Sequence, residues 1–326
     1  MEFRTKVAIE KSGLHIGYGD GIVMLGSCFT ENIGARLSCR LMDVCVNPFG
    51  TLYNPASIAD AVERLAENRM FTAGELFEYG GRWHSFAHHS RFSSADREKA
   101  LERINSSYAE AVAALRRCSV LIVTFGTAYV FTRDGRVVAN CHKLPASEFA
   151  RTMLGIDKIT EIWDRAIQTL GRLNPQMRIL FTVSPVRHLA DGAHGNQSSK
   201  ATLLLATDSL VERFGQCGYF PSYEIMMDEL RDYRFYASDM THPSEMAVDY
   251  IMERFSDAYF TEETRRQADA CMKLSRMVNH RPMSDNAVEV RRFREAVEAY
   301  AGKLSAEFPC LAPRIAVALA EWKSCI

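Results

Sequence analysis

Two short stretches carry the side-chain types that acyl transfer needs. Gly26-Ser27-Cys28 presents a hydroxyl and a thiol directly after the apolar run Ile22 to Leu25. Asp239 and His242 lie three apart, immediately before Pro243. An imidazole that takes the proton of a thiol or hydroxyl makes it a nucleophile. A carboxylate on the imidazole's other nitrogen fixes its tautomer and stabilises the imidazolium. Three-residue spacing lets Asp239 reach His242 on a single turn. Each stretch also has a bland reading: a strand-to-helix turn needs small residues, and an Asp near a loop His is often only a cap. Their pairing is the signal, a nucleophile turn after the first strand and a base after the last.

The elements around them must position that pair. Gly21 to Gly34 reads as strand, tight turn and helix, with Ile33 and Leu37 at helical spacing. Such a turn points side chains off the carboxyl edge of a sheet, beside helix-start N–H groups that favour negative charge. Asp43 to Asn47 reads as a second strand, closed by Asn47-Pro48-Phe49-Gly50; Gly50 could offer a backbone N–H at that strand's carboxyl end. Pro55 to Asn68 and Ser93 to Arg117 read as helices, and Ser119 to Phe125 as a buried parallel strand. Tyr129 to Asn140 alternates around Asp134-Gly135, a hairpin that carries Asn140-Cys141-His142 back beside Tyr129. Further on come a helix over Glu148 to Leu173 with Gly155 as a candidate break, a strand over Arg178 to Ser184, a polar loop over Val186 to Ser199 and a helix over Lys200 to Phe214. A poorer edge strand over Tyr219 to Ile225 and a helix over Ser244 to Phe260 follow. Alternating strands and helices predict an α/β, doubly wound, flavodoxin-like five-stranded parallel sheet in the order 2-1-3-4-5, with its carboxyl-edge turns on one side. Residues 1–260 would form that domain. Residues 261–326 would form a C-terminal helical extension, clearest over Met272 to Leu304.

Composition narrows the function classes. The chain has 326 residues, 47% of them hydrophobic, and a formal net charge of −1, which argues against a general nucleic-acid binder. No apolar run could span a bilayer, and the polar first residues hold no signal core, so a soluble, cytoplasmic protein is expected. Nine cysteines without a CxxC pair fit free thiols in a reducing compartment. His84, His88 and His89 cluster on the irregular stretch Phe71 to Phe92. Their spacing matches no metal motif, so a pocket wall is expected there and no metal. Arg187 and His188 on the later loop are the other pocket candidates. Neither a GxGxxG nor a P-loop lysine follows the first strand, which disfavours a flavin- or nucleotide-binding protein.

The blocks GSCFTENIG (Gly26–Gly34), NPFGTLYNP (Asn47–Pro55), TFGTAYVF (Thr124–Phe131), NCH (Asn140–His142), SPVRH (Ser184–His188) and DMTHP (Asp239–Pro243) together resemble the GSCFA-domain family, which is considered related to the SGNH/GDSL hydrolases. The resemblance runs over roughly residues 1–260. It implies an SGNH-like fold in which the residue after Gly-Asp attacks. In register, Ser27 falls on the Asp and Cys28 on the nucleophile, so Cys28 is favoured and Ser27 is the alternative after a one-residue shift. The resemblance puts Gly50 on the second oxyanion donor and Ala128 on the third, normally an Asn. Ala128 has no side-chain donor, and Asn140, returned by the hairpin, is the expected substitute. Asp239 and His242 match without change.

The expected function is therefore hydrolysis of ester or related acyl substrates through a Cys (or Ser)-His-Asp triad and an acyl-enzyme. The oxyanion would be held by the N–H groups of Cys28 and Gly50 with Asn140. A small molecule or an O-acylated carbohydrate would be the substrate, and no cofactor is needed. Acyl transfer to another acceptor at the same site, and a non-catalytic binding module on the same fold, are the alternatives.

Overall fold

The computed structural model of the chain describes residues 5–10, 13–280 and 286–324. In chain order the elements are β1 (Gly21–Gly26), α1 (Cys28–Ser38), β2 (Asp43–Val46), α2 (Pro55–Glu67), β3 (Phe77–Tyr79), β4 (Arg82–His84), α3 (Arg97–Arg117), β5 (Val120–Phe125), β6 (Tyr129–Arg133), β7 (Arg136–Val138), β8 (Ala150–Met153), α4 (Ile156–Leu173), β9 (Arg178–Val183), α5 (Gly192–Arg213), β10 (Cys217–Phe220), α6 (Ser222–Glu224), α7 (Glu245–Tyr259), α8 (Glu262–Asn279), α9 (Ala287–Glu307) and α10 (Ala312–Ser324). The central sheet is parallel, in the order β10-β9-β5-β1-β2. Counted along the chain within that sheet, this is the expected 2-1-3-4-5 order.

These strands are mostly apolar because both faces are covered; Asp43, Thr124, Arg178 and Thr182 are polar exceptions. Val23 and Leu25 of β1, Leu121, Val123 and Phe125 of β5, and Ile179 and Phe181 of β9 face one core, shared with α2 to α5 through residues such as Ile58, Tyr108, Trp163 and Leu203. Ile22 and Met24, Val120 and Ile122, and Leu180 face the other. There Phe29 and Ile33 of α1 and Val248 and Ile251 of α7 meet Leu274, Val297 and Ile315 of the last three helices. The C-terminal helices thus complete the second layer. Arg314 ties them down by donating to the carbonyls of Tyr18 and Leu41. No helix among the described residues is long and apolar enough to cross a membrane.

Four boundaries differ from the sequence reading. The fifth strand is Cys217–Phe220 and not Tyr219 to Ile225, because Pro221 cannot donate to the ladder and Ser222 turns helical. The stretch from Glu148 breaks at Gly155, where α4 starts, but the part before the break is strand and not helix: Ala150–Met153 pairs with β6 as β8. The loop after β9 is short, and α5 already begins at Gly192, eight residues before Lys200. The helix expected over Met272 to Leu304 is two, α8 ending at Asn279 and α9 starting at Ala287, and 281–285 lie outside the described residues. The Asp134-Gly135 hairpin is present, with Arg133 opposite Arg136.

Candidate active site

β1 ends at Gly26 with φ +151°, and a Cβ there would lie 2.3 Å from the Thr124 carbonyl oxygen. Only glycine lets the turn pass so close to β5. Its N–H donates to Asn47 Oδ1 at 2.9 Å and its carbonyl accepts from Leu52 N at 2.9 Å, so the turn is clamped from the β2 side. Ser27 is fully buried and caps α1, its Oγ accepting from Phe29 N at 3.3 Å. Cys28 is the first residue of α1 and only partly buried. Of the two nucleophile candidates, Ser27 holds the helix and Cys28 is the one with exposed surface. Burial raises the Cys28 thiol above its ordinary pKa and the Glu31 carboxylate adds to this; the Phe29 and Cys28 N–H groups and Lys200 pull the other way. At rest it is a thiol that needs a base.

Asp239 and His242 form the expected pair. Asp239 Oδ2 meets His242 Nδ1 at 2.6 Å, and its Oδ1 accepts the backbone N–H groups of Thr241 and His242, both at 2.9 Å. Those backbone donors, with the imidazole, hold the Asp239 carboxyl far below the usual carboxylate range. The pair is roughly half exposed, with Nδ1 occupied and Nε2 left as the working nitrogen.

The segment after β9 joins the two stretches. Arg187 N donates to the Thr241 carbonyl at 3.1 Å. Next to it, His188 Nε2 is buried without a hydrogen-bond partner, against Gly126. Gly126 also borders Ser27: a Cβ added there would lie 3.4 Å from His188 Nε2 and 3.5 Å from Ser27 Cβ. The Tyr53 ring stands edge-on to His188, centroids 5.8 Å apart, and its phenol lies in the field of Cys28. Burial, with the Lys200 ammonium, pushes His188 down to about 4, so it is a neutral imidazole at the site. Among the described residues His242 bonds to Asp239 and Thr241 and not to Cys28.

Other expected residues sit elsewhere or are already committed. The Gly50 N–H donates to the Asn47 carbonyl at 2.7 Å, closing its own turn, and is not free for an oxyanion. Asn140 is not paired across from Tyr129 in the hairpin. The β6–β7 ladder stops at Val138, and the N–H groups of Ala139 and Asn140 turn to the Phe86 carbonyl. Asn140 Oδ1 then accepts from His142 N at 2.8 Å, and the Ala128 N–H goes to Ser199 Oγ. His84 and His88 are not pocket residues. His84 is buried between Ser93 Oγ and the Tyr79 carbonyl. His88 stacks on Phe49 at 5.0 Å with Nδ1 on Ser85 Oγ. Among the described residues no three His, Cys, Asp or Glu side chains are grouped to hold a metal ion.

Burial, helped by the Arg64 cation, pushes His88 from 6.5 down to about 3. The unfolded chain therefore takes up a proton below pH 6.5 that the folded chain refuses until about 3. The stability linked to His88 is complete above that window and is lost as pH falls through it, by at most about 1.4 kcal/mol per pH unit. Urea midpoints of wild type and His88→Phe should diverge in slope between neutral pH and the acid side, the variant being the flatter; parallel curves would remove His88 as the source.

Lys200 was missed, although its place on the stripe with Leu203, Ala206 and Leu210 marks it as inward-facing. Asn47 was read only as a turn residue. No curated protein matches the chain. The model of the GSCFA family matches residues 21–255, from the first residue of β1 into α7 and so across the Cys28 turn, the Asn47 clamp, the His188 segment and the Asp239–His242 loop, and the chain belongs to that family.

Proposed function

We propose that this protein is an acyl hydrolase of the SGNH type in which Cys28 is the nucleophile, His242 the general base and Asp239 its orienting partner. The observation that carries this reading is the partly exposed thiol at a helix N-terminus, on the same sheet edge as a preorganised Asp–His pair. His242 Nε2 takes the thiol proton as sulfur bonds to the substrate carbonyl carbon. The oxyanion forms at the start of α1, where the Cys28 N–H and the helix dipole stabilise it. The carbonyl re-forms as the C–O bond breaks, and the imidazolium returns its proton to the leaving alcohol. Water, deprotonated by the same imidazole, then attacks the thioester and releases the acid. An acceptor alcohol in place of water makes the same site an acyltransferase. An O-acyl carbohydrate fits by analogy with the superfamily alone.

The test is turnover of p-nitrophenyl acetate with mass analysis of the protein during the reaction. An acetyl group on the Cys28 peptide, and a loss of about a hundredfold in kcat for His242→Ala with unchanged circular dichroism, support the reading. Equal rates for wild type and His242→Ala, with no acyl-enzyme from larger acyl donors either, would favour a binding module.

A further inference from the structure

Lys200 lies in the third turn of α5 and is 1% exposed. Its Nζ donates to the carbonyls of Gly126 at 2.7 Å and Ser184 at 2.6 Å, the first residues past the ends of β5 and β9. These two bonds use two of the ammonium's three hydrogens. Gly126, which accepts one of these bonds, packs on the nucleophile turn: a Cβ added there would lie 3.5 Å from Ser27 Cβ, one residue before Cys28. Among the described residues no carboxylate is hydrogen-bonded or ion-paired to Nζ, and the charge that favours the ammonium is that of the Cys28 thiolate. The coupling is mutual, since Lys200 favours the Cys28 thiolate. A buried cation with no carboxylate partner is costly, and a purely structural tie between two carbonyls could be made by an amide.

We propose that Lys200 is a positioning residue for the nucleophile: its buried ammonium, anchored on the Gly126 and Ser184 carbonyls, supplies the cation that stabilises the Cys28 thiolate. This deepens the proposed function, since it gives the thiolate formed by His242 a fixed counter-charge within the protein. The groups around the pair are few. Glu31 and Tyr53 lie in the field of Cys28. The Tyr223 ring is 5.6 Å from Nζ, and His188 is disfavoured as a cation by Lys200, with Asp191, His242 and Arg151 acting on it in turn. Burial lowers Lys200 to about 7, so its charge is lost as pH rises through neutrality, and the support for the thiolate fades with it.

Two measurements test this without using turnover, so they stand apart from the fate of the hydrolase reading. The first is the pH dependence of Cys28 alkylation by iodoacetamide, read on the Cys28 peptide because the chain has nine cysteines. Lys200→Gln keeps amide donors for the two carbonyls and removes the charge. At about pH 6, where Lys200 keeps its charge, it should slow alkylation about tenfold, the effect of one unit on the thiol. An unchanged rate in folded variant would overturn the proposal. The second needs no change at Lys200: its ionisation is followed by NMR of isotope-labelled lysine in Cys28→Asp and Cys28→Ser. A fixed carboxylate at position 28 should raise the Lys200 midpoint by about one unit over the serine variant. Equal midpoints would show that the two sites do not communicate.

Discussion

Cys28→Ala is expected to lower kcat/KM for an activated ester by at least about a thousandfold, while Ser27→Ala keeps activity within about tenfold of wild type. The contrast follows from what each side chain does. Cys28 is the partly exposed residue at the helix start. The Ser27 hydroxyl is buried and spent on the Phe29 N–H. Losing an N-cap costs about 1 kcal/mol, so Ser27→Ala should melt a few degrees lower yet retain the nucleophile. Cys28→Ala trims one partly buried thiol at the edge of the second core and should melt close to wild type. Steady-state kinetics beside calorimetry read both. The opposite pattern, a dead Ser27→Ala and an active Cys28→Ala, would transfer the chemistry to Ser27.

Gly26→Ala should destabilise the protein by roughly 3 kcal/mol or more. Its new methyl group would lie 2.3 Å from the Thr124 carbonyl oxygen and 2.8 Å from both Thr124 Cβ and Thr30 Oγ1. Relief is not available by moving β1, which is paired with β2 on one side and β5 on the other. The backbone at φ +151° is closed to alanine in any case. Gly135→Ala is the internal control. It too has positive φ, at +74°, but a Cβ there meets nothing within 4 Å, so a loss nearer 1 kcal/mol is expected. Urea denaturation of the two variants separates the clash from the backbone preference. Similar losses would mean that the turn can open away from Thr124, and the Cys28 position would then be far less rigid than described.

The amino-acid sequence by itself determined the sheet. Strands buried on both faces must be mostly apolar, and Val120 to Val123 in one segment and Ile179 to Phe181 in the other carry that requirement in consecutive residues. It also determined the two chemical stretches, because each is local. The Asp239–His242 hydrogen bond spans three residues, and the Gly26-Ser27-Cys28 turn is made by its own neighbours. Right-handed crossovers between parallel strands then oblige both to lie on the carboxyl edge. The tertiary structure decided how the edge is furnished. Gly50 and Asn140 are donor-bearing residues at the expected chain positions, yet the Gly50 N–H goes to the Asn47 carbonyl, and Asn140 leaves the hairpin ladder, its N–H on the Phe86 carbonyl and its Oδ1 accepting from His142 N. Histidines 84 and 88 share a loop with pocket-like spacing, yet they fill a core beside Phe49 and Ser93. Conversely, Lys200 reached the Gly126 and Ser184 carbonyls from 74 and 16 residues away. A hydrogen-bonding group binds whichever partner the folded chain brings within about 3 Å, and for these residues the competing partners are distant in sequence or one turn closer than the substrate. Apolar periodicity repeats along an element and can be read in one dimension; the choice among polar partners is made once, in three.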